Sequence, residues 1–243
     1  MFRLPLSLVA PAGSRGRLTI LIFHRVLPVT DLLFPETPTA DRFDQHMQWV
    51  KTWFNVLPLA PAIDMLYAGC IPSRALAITF DDGYADNEEV AAPILRRLGL
   101  SATFFLATGY LAGGCMWNDR VIEALRGCPA DQLDLRPLGL SVYPLTSPGE
   151  RRQAIDSVLT AIKHVEPERR ESLAESIMGL AQCAPLPPLM MQVQQVRNLR
   201  KLGMDVGAHT ISHPILTRLA RPSAFSEMAD SKLALEEILG ERV

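Results

Sequence analysis

The chain has only four cysteines, and none of them lie close together. Cys70, Cys115, Cys128 and Cys183 are widely and irregularly spaced, with no C-x-x-C pair. This excludes a zinc knuckle and a disulfide framework, and the four read as ordinary reduced thiols. No apolar run is long enough to be a candidate transmembrane helix. An excess of one charge is missing as well. The 24 Lys and Arg against 26 Asp and Glu leave a net charge of -2, with no general attraction to nucleic acid and no acidic tail. A secretory leader is not expected either. The run Phe2–Ala10 is short, contains Pro5, has one positive side chain, and ends in Ala10-Pro11, a poor cleavage site. Together with the reduced thiols, this gives the cytoplasm as the expected location.

What is present fits an α/β protein. The 243 residues, 48% of them hydrophobic, suffice for one large domain with a substantial core. Short apolar runs alternate with helical patterns. Leu18-Phe23 is a strand candidate. The spacing of Phe43, Met47, Val50 and Phe54 predicts a helix from Asp41, with Thr39 or Asp41 as N-cap. Asn55-Leu59 reads as a short strand and Pro61-Ala68 as a short helix stopped by Gly69. Ala75-Phe80 (ALAITF) is the cleanest buried strand, and a helix with Val90, Ile94 and Leu98 on one face follows it, Pro93 marking its first turn or a kink. Ala102-Ala107 and Met204-Ala208 are further strands, with helices around Val193-Leu202 and Ser223-Leu239. Such strands imply a parallel sheet covered on both sides, open or closed into a barrel. Between about residues 128 and 188 prolines are frequent and no convincing strand stands out. That stretch reads as a helical insertion within a single domain spanning 1–243.

Two polar clusters sit at the C-terminal ends of expected strands, where α/β folds place their sites. One is Thr79-Phe80-Asp81-Asp82-Gly83-Tyr84; the other is Gly207-Ala208-His209-Thr210-Ile211-Ser212-His213-Pro214. Adjacent carboxylates after a buried strand resist joint ionisation unless compensated, and a divalent cation compensates them economically. Two imidazoles and one aspartate make a three-ligand hydrolytic zinc site, leaving the other aspartate to take a proton from water. Each cluster alone has a plainer reading, Asp-Asp-Gly as a turn and H-x-x-x-H as two histidines on a surface helix. Pro214 argues against that helix, and the coincidence of both clusters on strand ends favours a metal site.

TFDDGY at Thr79-Tyr84 and HTISHP at His209-Pro214 resemble the first two motifs of the NodB-type polysaccharide deacetylases, carbohydrate esterase family 4. LIFHRV with His24-Arg25-Val26, and the stretch from Thr103 through Trp117-Asn118-Asp119-Arg120, resemble one branch of it. The resemblance implies a distorted (β/α) barrel and hydrolysis of N-acetyl groups on an amino-sugar polysaccharide or oligosaccharide. It implies Asp81 as the catalytic base that activates a metal-bound water, and Asp82, His209 and His213 as ligands of a divalent metal, zinc foremost. His24 either assists in proton transfer or substrate binding, or is a satisfied core histidine. Tyr84 and Trp117 are candidates for a sugar groove, with plain packing favoured for Trp117.

The family's third and later motifs, which include the histidine that protonates the leaving amine, have no counterpart before Val243. The expectation is therefore a barrel incomplete because its last strands are missing, with an open edge available for self-association or a complementing chain. The alternative to an enzyme is an inactive fragment or carbohydrate-binding remnant that retains the metal site. A sugar isomerase would need more carboxylate ligands. A peptidase is disfavoured because neither H-E-x-x-H nor a nucleophile elbow occurs.

Overall fold

The computed structural model describes residues 7–243, so the leader-like run is covered only from Ser7 onward and Phe2–Leu6 lie outside the described residues. In chain order the elements are β1 (Leu18–Phe23), α1 (Ala40–Trp53), β2 (Asn55–Val56), α2 (Leu59–Tyr67), β3 (Ala75–Phe80), α3 (Ala92–Leu98) and β4 (Thr103–Leu106). There follow α4 (Trp117–Gly127), β5 (Gln132–Asp134), β6 (Val142–Pro144), α5 (Pro148–Ile162), α6 (Pro167–Ala181), α7 (Val193–Lys201), β7 (Asp205–Ala208) and α8 (Arg221–Leu239). No helix of the described residues is long and apolar enough to cross a membrane.

The chain forms two compact units. The first contains the described residues up to Thr30, with Thr37–Gly113 and Met190–Val243; the second contains Asp31–Glu36 and Gly114–Leu189. In the first, a parallel sheet runs in the order β1-β3-β4-β7, with β2 joining β3 at its opening residues. Its register sets Phe23 beside Phe80 and Phe80 beside Phe104. Those rings lie 5.3 and 4.7 Å apart and near-parallel, and Phe43 of α1 meets Phe23 edge-on at 5.2 Å. An aromatic row thus stiffens the sheet immediately before the residues that leave its C-terminal end. α1 forms because Phe43, Met47 and Val50 recur at helical spacing, and all three are buried. Each such side chain contributes about 1.5–3 kcal/mol on burial.

Two local readings of the sequence are corrected. After β3 the chain does not enter one regular helix: Asn87–Ala91 form a π-turn before α3, with Pro93 in the first turn of α3. A proline there needs no amide partner, so the wider turn ends where the α-helix can start. The sequence between 128 and 188 also contains strands, since β5 and β6 pair antiparallel as a short hairpin. Only Leu133 of β5 is buried, which leaves almost no apolar signal to read.

The second unit has a core of its own, built around Val121, Leu125, Leu135, Ile155, Val158 and Ile177. The charged helical stretch seen in the sequence is two helices divided before Pro167. Arg126 grips the Asp31 carboxylate with two bonds of 2.9 and 2.7 Å, tying Asp31–Glu36 to α4. Arg126 holds the Asp31 carboxyl below its ordinary range, chiefly through that hydrogen bond. The clamp therefore stabilises the unit fully above the unfolded carboxylate pKa of about 3.9 and weakens as pH falls through the lower folded value. The protection of the Leu33 and Phe34 amides, measured against their intrinsic exchange rates, is expected to fall on acidification through that window. In Asp31→Asn it is expected to be low already at neutral pH. An unchanged acid response in the variant would assign the loosening elsewhere.

Candidate metal and hydrolytic site

The site lies in the first unit, where β1, β3 and β7 end. The sheet's hydrogen bonding runs past the strands: Asp81 N donates to Phe23 O at 2.9 Å, and His209 N donates to Leu106 O at 2.9 Å. At Gly83 the backbone turns with φ 93°, and a Cβ there would sit 3.2 Å from a Leu106 methyl. Only glycine takes that conformation in that space at little cost. Asp82 just before it is also left-handed, at φ 77°.

The Asp82 carboxylate is buried and faces both histidines. Its Oδ1 lies 3.5 Å from His209 Nε2 and 3.3 Å from His213 Nε2. The imidazole rings stand 5.1 Å apart, each about a third exposed. One ligand atom from each of the three residues lies within 4.8 Å of the others, the spacing of a set that can close on one ion. Buried Oδ1 accepts no hydrogen bond from any of the described residues. A buried anionic oxygen without a donor is costly, and a cation in front of it removes that cost. The donor set, two neutral imidazole nitrogens and one carboxylate, suits zinc and also cobalt or nickel.

Asp81 is half-buried. Burial pushes its carboxyl above the ordinary carboxylate range, His209 and His24 pull it down, Asp82 pushes it up, and His213 also pulls it down. His24 thus acts on Asp81 from the end of β1. The turn carrying His24 is held by residues whose role the sequence did not disclose. Asn87 donates to His24 O at 2.8 Å, while Asp86 accepts from Arg25 Nε at 2.8 Å and from Val26 N at 3.1 Å. Burial raises the Asp86 carboxyl and Arg25 opposes the rise. Their signal was faint: two polar residues in the acidic run Asp86-Asn87-Glu88-Glu89 that precedes the apolar positions of the helix.

The two aromatic candidates differ in place. Tyr84 is buried in the first unit, with the Arg25 guanidinium 4.6 Å from its ring centre. Trp117 belongs to the second unit, where it is 8% exposed within that core and covered by Arg170 at 4.7 Å. Asp81, Asp82, His209, His213 and His24 therefore converge in one unit, and Trp117 lies in the other.

Solved structures with the same fold include the Streptococcus pyogenes deacetylase PplD in complex with acetate. It is 19% identical with a TM-score of 0.56, over 93% of this chain and 70% of that one. IcaB from Ammonifex degensii gives the same TM-score at 17% identity, over 96% and 72%. At such identities the likeness shows the fold: α/β, with a parallel sheet and flanking helices. A candidate polysaccharide deacetylase of Bacillus subtilis, YxkH, is 35% identical over 93 residues, 37% of this chain. That alignment spans 32% of the length of YxkH. The family model described as polysaccharide deacetylase matches residues 68–132 and 160–243, taking in Asp81, Asp82, His209 and His213 and leaving His24 outside. With more than half of its residues matched, the chain belongs to the polysaccharide deacetylase family.

Proposed function

We propose that this chain is a metal-dependent hydrolase that removes N-acetyl groups from an amino-sugar polysaccharide or oligosaccharide. The observation that carries the reading is the donorless buried Oδ1 of Asp82 between two imidazoles, beside a second carboxylate that the trio leaves free. Asp82, His209 and His213 would hold the divalent cation, zinc foremost among the metals that fit. Bound there, it supplies Lewis acidity to an acetamide carbonyl and to the attacking water.

Asp81 is the general base. Burial raises its carboxyl above the ordinary carboxylate range, so it binds a proton more readily than an ordinary aspartate does, as a base must. It takes one proton from water as oxygen attacks the carbonyl carbon. The C–N bond then breaks, acetate leaves, and the amine takes up the proton. His24, held beside Asp81 by Asn87, is placed to hand over that proton or to orient the sugar. Tyr84, with the Arg25 guanidinium over its ring, would line the sugar groove beside this turn.

The test is acetate release from a short N-acetylglucosamine oligomer by purified chain, after chelation and again after adding zinc or cobalt. Release that needs the added metal supports the proposal. One bound ion per chain with no release from any N-acetylated sugar would favour a carbohydrate-binding role for the same site.

A further inference from the structure

His209 and His213 are joined by an awkward piece of backbone. Thr210 (φ 67°) and His213 (φ 53°) both occupy the left-handed region, which a β-branched threonine adopts only when its surroundings insist. Thr210 Oγ1 accepts from His213 N at 3.1 Å, but most of the support comes from α8. One oxygen of Glu227 accepts from Ile211 N at 2.8 Å and Ser212 N at 2.9 Å, and the other accepts from Ser212 Oγ at 2.7 Å. One turn further along, fully buried Ser231 donates to Thr210 O at 2.8 Å and accepts from Thr108 Oγ1 at 3.2 Å. The carboxylate, collecting two consecutive amides and a hydroxyl, fixes Ile211 and Ser212, and Ser231 fixes Thr210, so all three residues between the histidines are held.

The rest of α8 does little to explain these contacts as packing. Of its 19 residues only Ser231 and Leu235 are buried, while Phe225, Met228 and Leu233 are exposed. The helix spends its best-placed polar side chains on the loop between the two imidazoles. On the other side, Gly109 N donates to Ile211 O at 2.9 Å, and a Cβ on Gly109 would come within 2.7 Å of that oxygen. The loop is therefore gripped between Gly109 and Glu227.

We propose that Glu227 and Ser231 are positioning residues of the metal site: by holding Thr210–Ser212 they set the separation of His209 and His213, and so the affinity and geometry of the bound cation. The inference rests on the metal reading of this site. Neither residue is among the three that would hold the ion.

The experiment is cobalt binding followed by visible absorption, with zinc affinity by competition, on wild type, Glu227→Gln, Ser231→Ala and the exposed control Glu237→Gln. Glutamine matches glutamate in size but is neutral: its oxygen accepts from the amide pair without charge assistance, and its NH2 can meet the Ser212 hydroxyl only by donating to it. Glu227→Gln is expected to bind zinc 10- to 100-fold more weakly, with an altered cobalt spectrum and a metal-free melting temperature close to wild type. Ser231→Ala should shift the same readouts less, and Glu237→Gln not at all. Unchanged affinity and spectrum in both site variants, with wild type binding one ion, would overturn the positioning role and leave the metal site standing. A loss of affinity matched by an equal loss of metal-free stability would make α8 a structural support only. Failure of wild type to bind either metal would remove the metal reading, and this inference with it.

Discussion

Asp81→Asn is expected to lower acetate release by about 10²–10⁴-fold while leaving one metal ion bound per chain. The separation of effects follows from the turn. Asp82, left-handed at φ 77°, sends its carboxylate to the two histidines, whereas Asp81 continues the β3 ladder through its bond to Phe23 O. Asparagine is close to isosteric and keeps the backbone contact, so the three ligands stay where they are. It cannot accept the proton from water, and the rise that burial imposes on the Asp81 carboxyl has no counterpart in an amide. Activity within tenfold of wild type would assign the base elsewhere, with His24 next in line. Metal lost together with activity would show that Asp81 belongs to the ligand set.

The two chemistry-bearing clusters were legible because each is contiguous and follows a run of apolar residues that forms a strand. Ala75–Phe80 is buried throughout, as its composition requires, and it delivers Asp81 and Asp82 directly to the sheet end. What supports the site was not legible, because it is distant in sequence. Arg25 and Asp86 are 61 positions apart, and Glu227 reaches Ser212 across 15. A lone glutamate on an amphipathic helix and an aspartate in an acidic turn look the same whether they bind a loop or face water. Apolar runs can mislead too. LTILIF reads as a strand buried on both faces, yet Ile20 and Ile22 are 44% and 60% exposed. β1 is an edge strand with β3 as its neighbour, and α1 covers only the face carrying Phe23. Alternation of Leu21 and Phe23 inward with Ile20 and Ile22 outward is a matter of neighbours, which composition does not encode. The hairpin at Gln132–Pro144 failed for the opposite reason: its strands are short and mostly exposed, so sequence offered turn residues and nothing else.

Asp82→Asn should separate metal binding from folding in the opposite direction to most site substitutions. Zinc affinity is expected to fall at least about 100-fold, and metal-dependent turnover with it, since a neutral amide oxygen replaces the only anionic ligand. The metal-free protein, by contrast, is expected to gain about 0.5–2 kcal/mol in urea unfolding. Among the described residues buried Oδ1 accepts no hydrogen bond and faces only imidazole nitrogens 3.3 and 3.5 Å away, and a buried carboxylate held so loosely costs more than a neutral amide that can donate to those nitrogens. Asparagine also tolerates left-handed φ well, so the turn at φ 77° adds no new strain. In wild type, zinc should then raise the unfolding midpoint steeply with concentration, and in the variant hardly at all. A variant less stable than metal-free wild type would mean that the Asp82 carboxylate is satisfied by protonated histidines and folds without need of an ion. A stable variant that has lost the zinc response would identify Asp82 as a residue kept for its cation at a cost to the fold.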